Sequence, residues 1–95
     1  MHKKQILIDA YKVSEIRSKA DLTIEQYLMT PESMVNQVIK LEHLLKGKKV
    51  FFLGDDDHIS TLFAKYLKVK PVVAEYDARI RKSLKNIYNE FKISK

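Results

Sequence analysis

Lys49-Val50-Phe51-Phe52-Leu53-Gly54-Asp55-Asp56-Asp57-His58 is the stretch on which the fold turns. Its apolar part is short, β-branched and aromatic, and lies between Gly47 and Gly54. A run of that length and composition reads as a fully buried parallel strand. Downstream, Pro71 opens a second such run, Val72-Val73-Ala74-Glu75-Tyr76. Between the two, Asp57 is placed to cap a helix reaching Leu67, with Ile59, Leu62, Phe63 and Tyr66 as its inner face. A last helix is expected from Ala78 to Ile93. Its stripe is Ile80, Leu84, Ile87, Tyr88 and Phe91, and Arg79, Arg81, Lys82, Lys85 and Lys92 lie mostly off it. Strand, helix, strand, helix with short connections predicts a right-handed parallel βαβ unit.

Upstream of this unit the periodicity is helical. Ile6, Ala10, Val13 and Arg17 share one stripe of a helix from about Lys4 to Lys19, widened by Leu7 and Tyr11, and Asp21-Leu22-Thr23 suggests a short further turn. Thr30-Pro31-Glu32 marks the start of another helix: a capping hydroxyl, a proline at the first position and an acid at the positive end. Met34, Val35, Val38, Ile39, Leu41, Leu44 and Leu45 follow at helical spacing, and Gly47 supplies the left-handed residue after the helix. The expected fold is therefore α/β: a helical lead-in over residues 1–46, then a partial Rossmann-like βαβα unit with a short parallel sheet over residues 47–95, in one compact domain.

Two parallel strands leave two apolar edges, which call for a second copy of the chain or for another protein chain to cover them. The 95 residues carry 18 basic and 12 acidic side chains, a net charge of +6 that suits an anionic partner such as nucleic acid and equally a soluble surface. There is no cysteine, which excludes disulfides, thiolate metal sites and cysteine nucleophiles. The N-terminus lacks the apolar core of a signal peptide, and Val50-Phe51-Phe52-Leu53, the longest apolar run, is too short to span a bilayer. A cytoplasmic protein without a membrane segment is expected.

Ligands of doubly wound sheets bind beyond the carboxyl ends of the strands. Gly54-Asp55-Asp56-Asp57-His58 follows the first strand, and Glu75-Tyr76-Asp77 the second. Glu75 stands 21 positions after Gly54, the spacing at which nucleotide-binding folds place a carboxylate on the ribose hydroxyls. Gly54 lets a ligand approach the backbone closely. Three adjacent aspartates and the missing further glycines disfavour a pyrophosphate, and with it NAD, FAD and ATP. A cationic ligand is favoured, such as S-adenosylmethionine or a polyamine. Turn and cap chemistry accounts for one or two of the aspartates, and helix N-terminal acidity for Asp77. His58 reads as a helix-start or partly buried histidine, no metal site is indicated, and Ser60 and Thr61 read as ordinary helix residues.

The segment Lys49 to Asp57, followed by Glu75-Tyr76-Asp77-Ala78-Arg79-Ile80, resembles the first two motifs of class I methyltransferase-like proteins. Within that superfamily, Gly54-Asp55-Asp56-Asp57 looks most like the branched-chain polyamine synthases, which transfer aminopropyl groups from decarboxylated S-adenosylmethionine; their usual Asp is Glu75 here. Glu25-Gln26-Tyr27-Leu28-Met29-Thr30-Pro31 is similar to the segment before the cofactor domain of adenine-specific DNA methyltransferases. These resemblances imply S-adenosylmethionine or its decarboxylated form as cofactor. Gly54, Asp55 and Asp56 would orient its amino end, Glu75 would hold its ribose, and Tyr27 and Thr30 would lie nearby. Both families hold the acceptor amine on an Asp/Asn-Pro-Pro-Tyr motif that this chain lacks, and no catalytic residue is assigned. The chain thus looks like the cofactor half of a transferase acting on an amine, incomplete alone and with its acceptor unassigned. The alternative is a non-catalytic truncated relative that serves as an interaction module for a protein chain or nucleic acid.

Overall fold

The computed structural model describes residues 2–17 and 28–94. Its elements run α1 (Lys3–Ile16), α2 (Pro31–Leu45), β1 (Lys49–Leu53), α3 (Ser60–Leu67), β2 (Lys70–Ala74) and α4 (Ala78–Phe91). The two strands pair in parallel with Lys49 opposite Lys70 and Leu53 opposite Ala74. Among the described residues the fold is α/β, helix first, with four helices and one two-stranded parallel sheet. The expected turn at Asp21-Leu22-Thr23 lies outside the described residues.

Local chemistry sets most boundaries. Thr30 is extended and accepts a hydrogen bond from the Ser33 amide at 3.1 Å, so α2 begins at Pro31 as a capped helix. Asp77 does the same for α4 by accepting from the Arg79 amide at 2.9 Å. Gly47 sits at φ 75° after α2, where a side chain would be strained. Lys68 and Lys92 take the left-handed position after α3 and α4, and the turn after α4 closes with the Ile93 amide on the Tyr88 carbonyl at 2.8 Å.

The helices form one layer on one face of the sheet. Ile6, Ala10 and Val13 of α1, Met34, Val35 and Val38 of α2, and Leu62, Phe63 and Leu67 of α3 make a common core with Ile87 of α4. Val50 and Phe52 of β1 pack against that core, with the Phe52 and Phe63 rings 5.8 Å apart. Ile80, Leu84 and Tyr88 of α4 cluster with Val73 of β2. A charged contact also crosses this layer: Lys65 of α3 donates to the buried Asp9 carboxylate of α1 at 2.6 Å, and the Tyr66 hydroxyl donates to the same oxygen.

One expectation is corrected. β1 is not fully buried: Phe51 is 64% exposed and Leu53 88%. Side chains alternate along a strand, so Phe51 and Leu53 point away from the face that carries Val50 and Phe52, and no helix layer covers that side among the described residues.

Candidate functional site

The carboxyl ends of β1 and β2 are held together beyond the last strand pair. The Gly54 amide donates to the Ala74 carbonyl at 2.8 Å, and Gly54 itself takes φ 86°. That left-handed turn brings the next peptide under Glu75. The Glu75 carboxylate accepts from the Asp55 amide at 3.0 Å through one oxygen and from the Asp77 amide at 3.0 Å through the other. A Cβ on Gly54 would lie 3.7 Å from Glu75 Oε1, so the two residues adjoin across the strand ends. Arg81 donates to the Glu75 and Tyr76 carbonyls at 3.0 and 2.6 Å and closes the second loop from outside.

The three consecutive aspartates go to three different environments. Asp55 is buried, and its carboxylate accepts from the Ser60 hydroxyl and, at 3.4 Å, from the Ser60 amide. Ser60 Oγ and Tyr88 Oη are 2.6 Å apart, which fits a Tyr88 hydroxyl donating to a Ser60 hydroxyl that itself donates to Asp55. Burial pushes the Asp55 carboxyl up to about 6, with Ser60 opposing the rise. The same burial pushes the Tyr88 phenol up to about 12.

Asp57 faces the other way, toward the lead-in. It accepts from the Met29 amide and pairs with the Arg17 guanidinium at 3.7 Å. Arg17 also donates to the Met29 carbonyl at 2.7 Å and to the Asp57 carbonyl at 3.3 Å, so it fastens the entry to α2 onto the loop after β1. Asp56, between them, is half-exposed, and its carboxylate takes no hydrogen bond from the described residues.

The expected cap on α3 is therefore corrected. Asp57 does not cap the helix, which begins at Ser60 and not at Asp57. The cause is His58, whose φ of 62° turns the chain once more before a helix can start. Its amide closes the turn on the Asp55 carbonyl at 2.9 Å. The ring is fully buried, as expected for a structural histidine: Nδ1 lies 3.0 Å from the Asp56 carbonyl and Nε2 is hydrogen-bonded to Ser83 Oγ. A carbonyl only accepts, so the neutral ring carries its proton on Nδ1 and accepts from Ser83 at Nε2. Burial holds the ring's pKa below the usual histidine range and keeps it neutral. A serine on a histidine is the pairing used in nucleophilic catalysis. Here both partners lie inside the fold, which assigns them to α4 docking.

Of the residues singled out from the sequence, the structure brings Gly54, Asp55 and Glu75 together and places Asp56 beside them. Thr30 is exposed at the α2 cap and is joined to the loop through its neighbour Met29. Tyr27 lies outside the described residues. Sequence reasoning missed Ser60, Ser83 and Tyr88 as partners of the loop, because each contact spans 5 to 28 positions. Arg17 did carry a signal, being a cation on an otherwise apolar helical stripe. Among the described residues no group of three or more His, Cys, Asp or Glu side chains is arranged to hold a metal. No described helix is long and apolar enough to cross a membrane. No family model, curated protein or solved structure matches the chain.

Proposed function

We propose that the chain is an interaction module: an incomplete α/β unit whose uncovered sheet face seats another protein chain. The observation that carries this reading is the exposure of Phe51 at 64% and Leu53 at 88%, two residues apart on one face of β1. Parallel sheets are normally covered on both faces, and contiguous exposed apolar side chains mark interaction sites. The acidic loops point the same way, since most of their carboxylates are taken up internally: Asp55 by Ser60, Asp57 by Arg17 and Met29, Asp77 by its own helix, and Glu75 by two amides. The test is gel filtration of cell extract at native expression. The wild-type chain should elute well above its own 11.1 kDa, and Phe51→Ser/Leu53→Ser should elute at it with an unchanged melting curve. Elution of the wild type as a free chain would sink the reading.

A second reading keeps the Rossmann-like and methyltransferase-like resemblance: the cofactor-binding part of a transferase acting on an amine, with S-adenosylmethionine or decarboxylated S-adenosylmethionine as ligand. The Gly54–Glu75 juxtaposition favours it, because a glycine at φ 86° and a carboxylate meet beyond the strand ends, where such ligands lie. In that reading Asp56 is the anion left to meet a cationic cofactor end, and Glu75, held by the Asp55 and Asp77 amides, would be the carboxylate that meets the ribose. Calorimetry with both compounds tests it. Binding that is lost in Glu75→Gln without loss of fold supports it, and no heat of binding with either compound removes it.

A further inference from the structure

At the end of β2 away from the acidic loops lies a cavity of the opposite sign. The ends of α3 and α4 and the start of β2 border it, and its volume is about 500 Å³. Lys65, Lys68, Lys70 and Lys92 line it, with Phe91 and Ile93 in its apolar wall and no acidic side chain of the described residues. Lys65 is held by Asp9, whereas Lys68, Lys70 and Lys92 form no ion pair with the described residues.

The backbone adds a second observation. Lys68 and Lys92 are the left-handed residues that end α3 and α4, with φ 55° and 56°. That conformation favours glycine, and Gly47 fills the left-handed position after α2. A lysine near a helix end does gain from the helix dipole, but any position in the last turn gives that gain without the strain. Charge is thus kept at two strained positions that meet in one cavity, and backbone of this kind gathers at ligand sites.

We infer that this cavity holds the phosphates of a single-stranded nucleic acid. Shape and strand edge together select that polyanion. A bilayer or a duplex presents its phosphates on a broad surface, which meets only the rim of a concavity, whereas a single strand enters it. An acidic peptide would enter as a strand added to β2. The Lys70 amide donates to the Lys48 carbonyl at 2.9 Å, and the Ala74 carbonyl accepts from the Gly54 amide at 2.8 Å. Both residues therefore turn their backbone groups to β1, and by alternation Pro71 and Val73 face the open edge. Pro71 has no N–H to offer there, and a proline beside a lysine is how an edge resists strand addition. A second cavity, of about 390 Å³, shares Pro71 and continues between β2 and α4, with Lys85 in its lining. Its one acid is Glu75, already bonded to two amides. The path along β2 is about 16 Å long, and a stacked strand carries a phosphate about every 3.4 Å, so about four phosphates can be met. This site lies apart from the bare sheet face, so it and the docking reading can fail independently.

Fluorescence anisotropy with a labelled single-stranded DNA of about twelve nucleotides is the test. The purified chain should bind it with a Kd on the order of 10 μM at physiological salt, and log K should fall against log salt with a slope of about −3. Lys68→Gly/Lys92→Gly should melt no lower than wild type, yet bind at least about tenfold more weakly and lose about 1.4 from that slope. Lys3→Gln/Lys4→Gln removes the same charge from a different cleft, between α1 and α2, and should change affinity less than about twofold. Equal losses in the two double variants would reduce the binding to net charge and overturn the inference, as would no anisotropy change with wild type. Unlabelled single strand should displace the probe. A duplex of the same sequence, a free nucleotide, polyglutamate and vesicles of anionic lipid should each compete at least about tenfold less at equal charge. Any of these four competing as well as the strand would overturn the assignment.

Discussion

The two faces of the sheet are made from the same two five-residue strands, yet only one of them contributes to folding. Val50 and Phe52 pack against the common core and Val73 against the α4 cluster, while Phe51 and Leu53, one residue away along β1, remain in solvent. Nothing in residue type distinguishes the two sets, since both are aliphatic and aromatic. The difference is that all four helices cover one side, and apolar area lowers the free energy of the fold only where water is removed. An uncovered set of this kind adds no stability to the isolated chain.

The largest effect that can test this contrast is a matched pair of truncations. Leu62→Ala, in the fully buried core, should cost on the order of 3 kcal/mol, whereas Leu53→Ala should stay within about 0.5 kcal/mol in urea melts of the monomer. Equal costs would mean that the outer face is structural after all.

Next in size is the pH response of Asp55, which lies at the end of the covered side. Its folded pKa is raised from 3.8 to about 6, so the native state binds a proton more readily than the unfolded chain. Stability from this group is therefore present below pH 3.8 and is lost as pH rises through about 6, by roughly 3 kcal/mol as an order of magnitude. His58 works in the opposite sense, because its lowered pKa withdraws stability as pH falls below the usual histidine range. Comparison with Asp55→Asn isolates the carboxyl. The wild type should gain on the variant as pH drops from 7 toward 4, and a constant difference between their thermal melts across that window would break the assignment.

Smaller effects probe how the strand ends and the lead-in are set. Gly54→Ala should cost about 1 to 2 kcal/mol from its left-handed backbone alone, since the added methyl meets Glu75 at an ordinary 3.7 Å. Thr30→Ala should cost about 1 kcal/mol by removing the α2 cap, with Thr30→Ser restoring most of it. Guanidinium denaturation resolves both, and a Gly54→Ala variant as stable as wild type would show that the loop after β1 relaxes freely.

Much of the fold was legible because it is local. Thr30 and Asp77 cap helices through amides two or three residues away, and β1 runs from Lys49 to Leu53 as its composition indicates. The candidate site was legible only in part. The adjacency of Gly54 and Glu75 followed from two parallel strands ending together, but the division of work among Asp55, Asp56 and Asp57 did not. It is set by the left-handed His58, which denies Asp57 the helix cap, and by Ser60, Tyr88 and Arg17, which approach from other elements.

By itself, the sequence determined which helices and strands form and in what order, where Thr30 and Asp77 cap α2 and α4, and that two short parallel strands would leave the edges of the sheet open. Those outcomes depend on hydrogen bonds and steric limits within a few residues and on the period of the apolar side chains. Only the tertiary structure decided which face of the sheet stays bare, and which aspartate is buried and which half-exposed. Those outcomes depend on which distant elements pack together, and a residue's own neighbours in sequence carry no record of that.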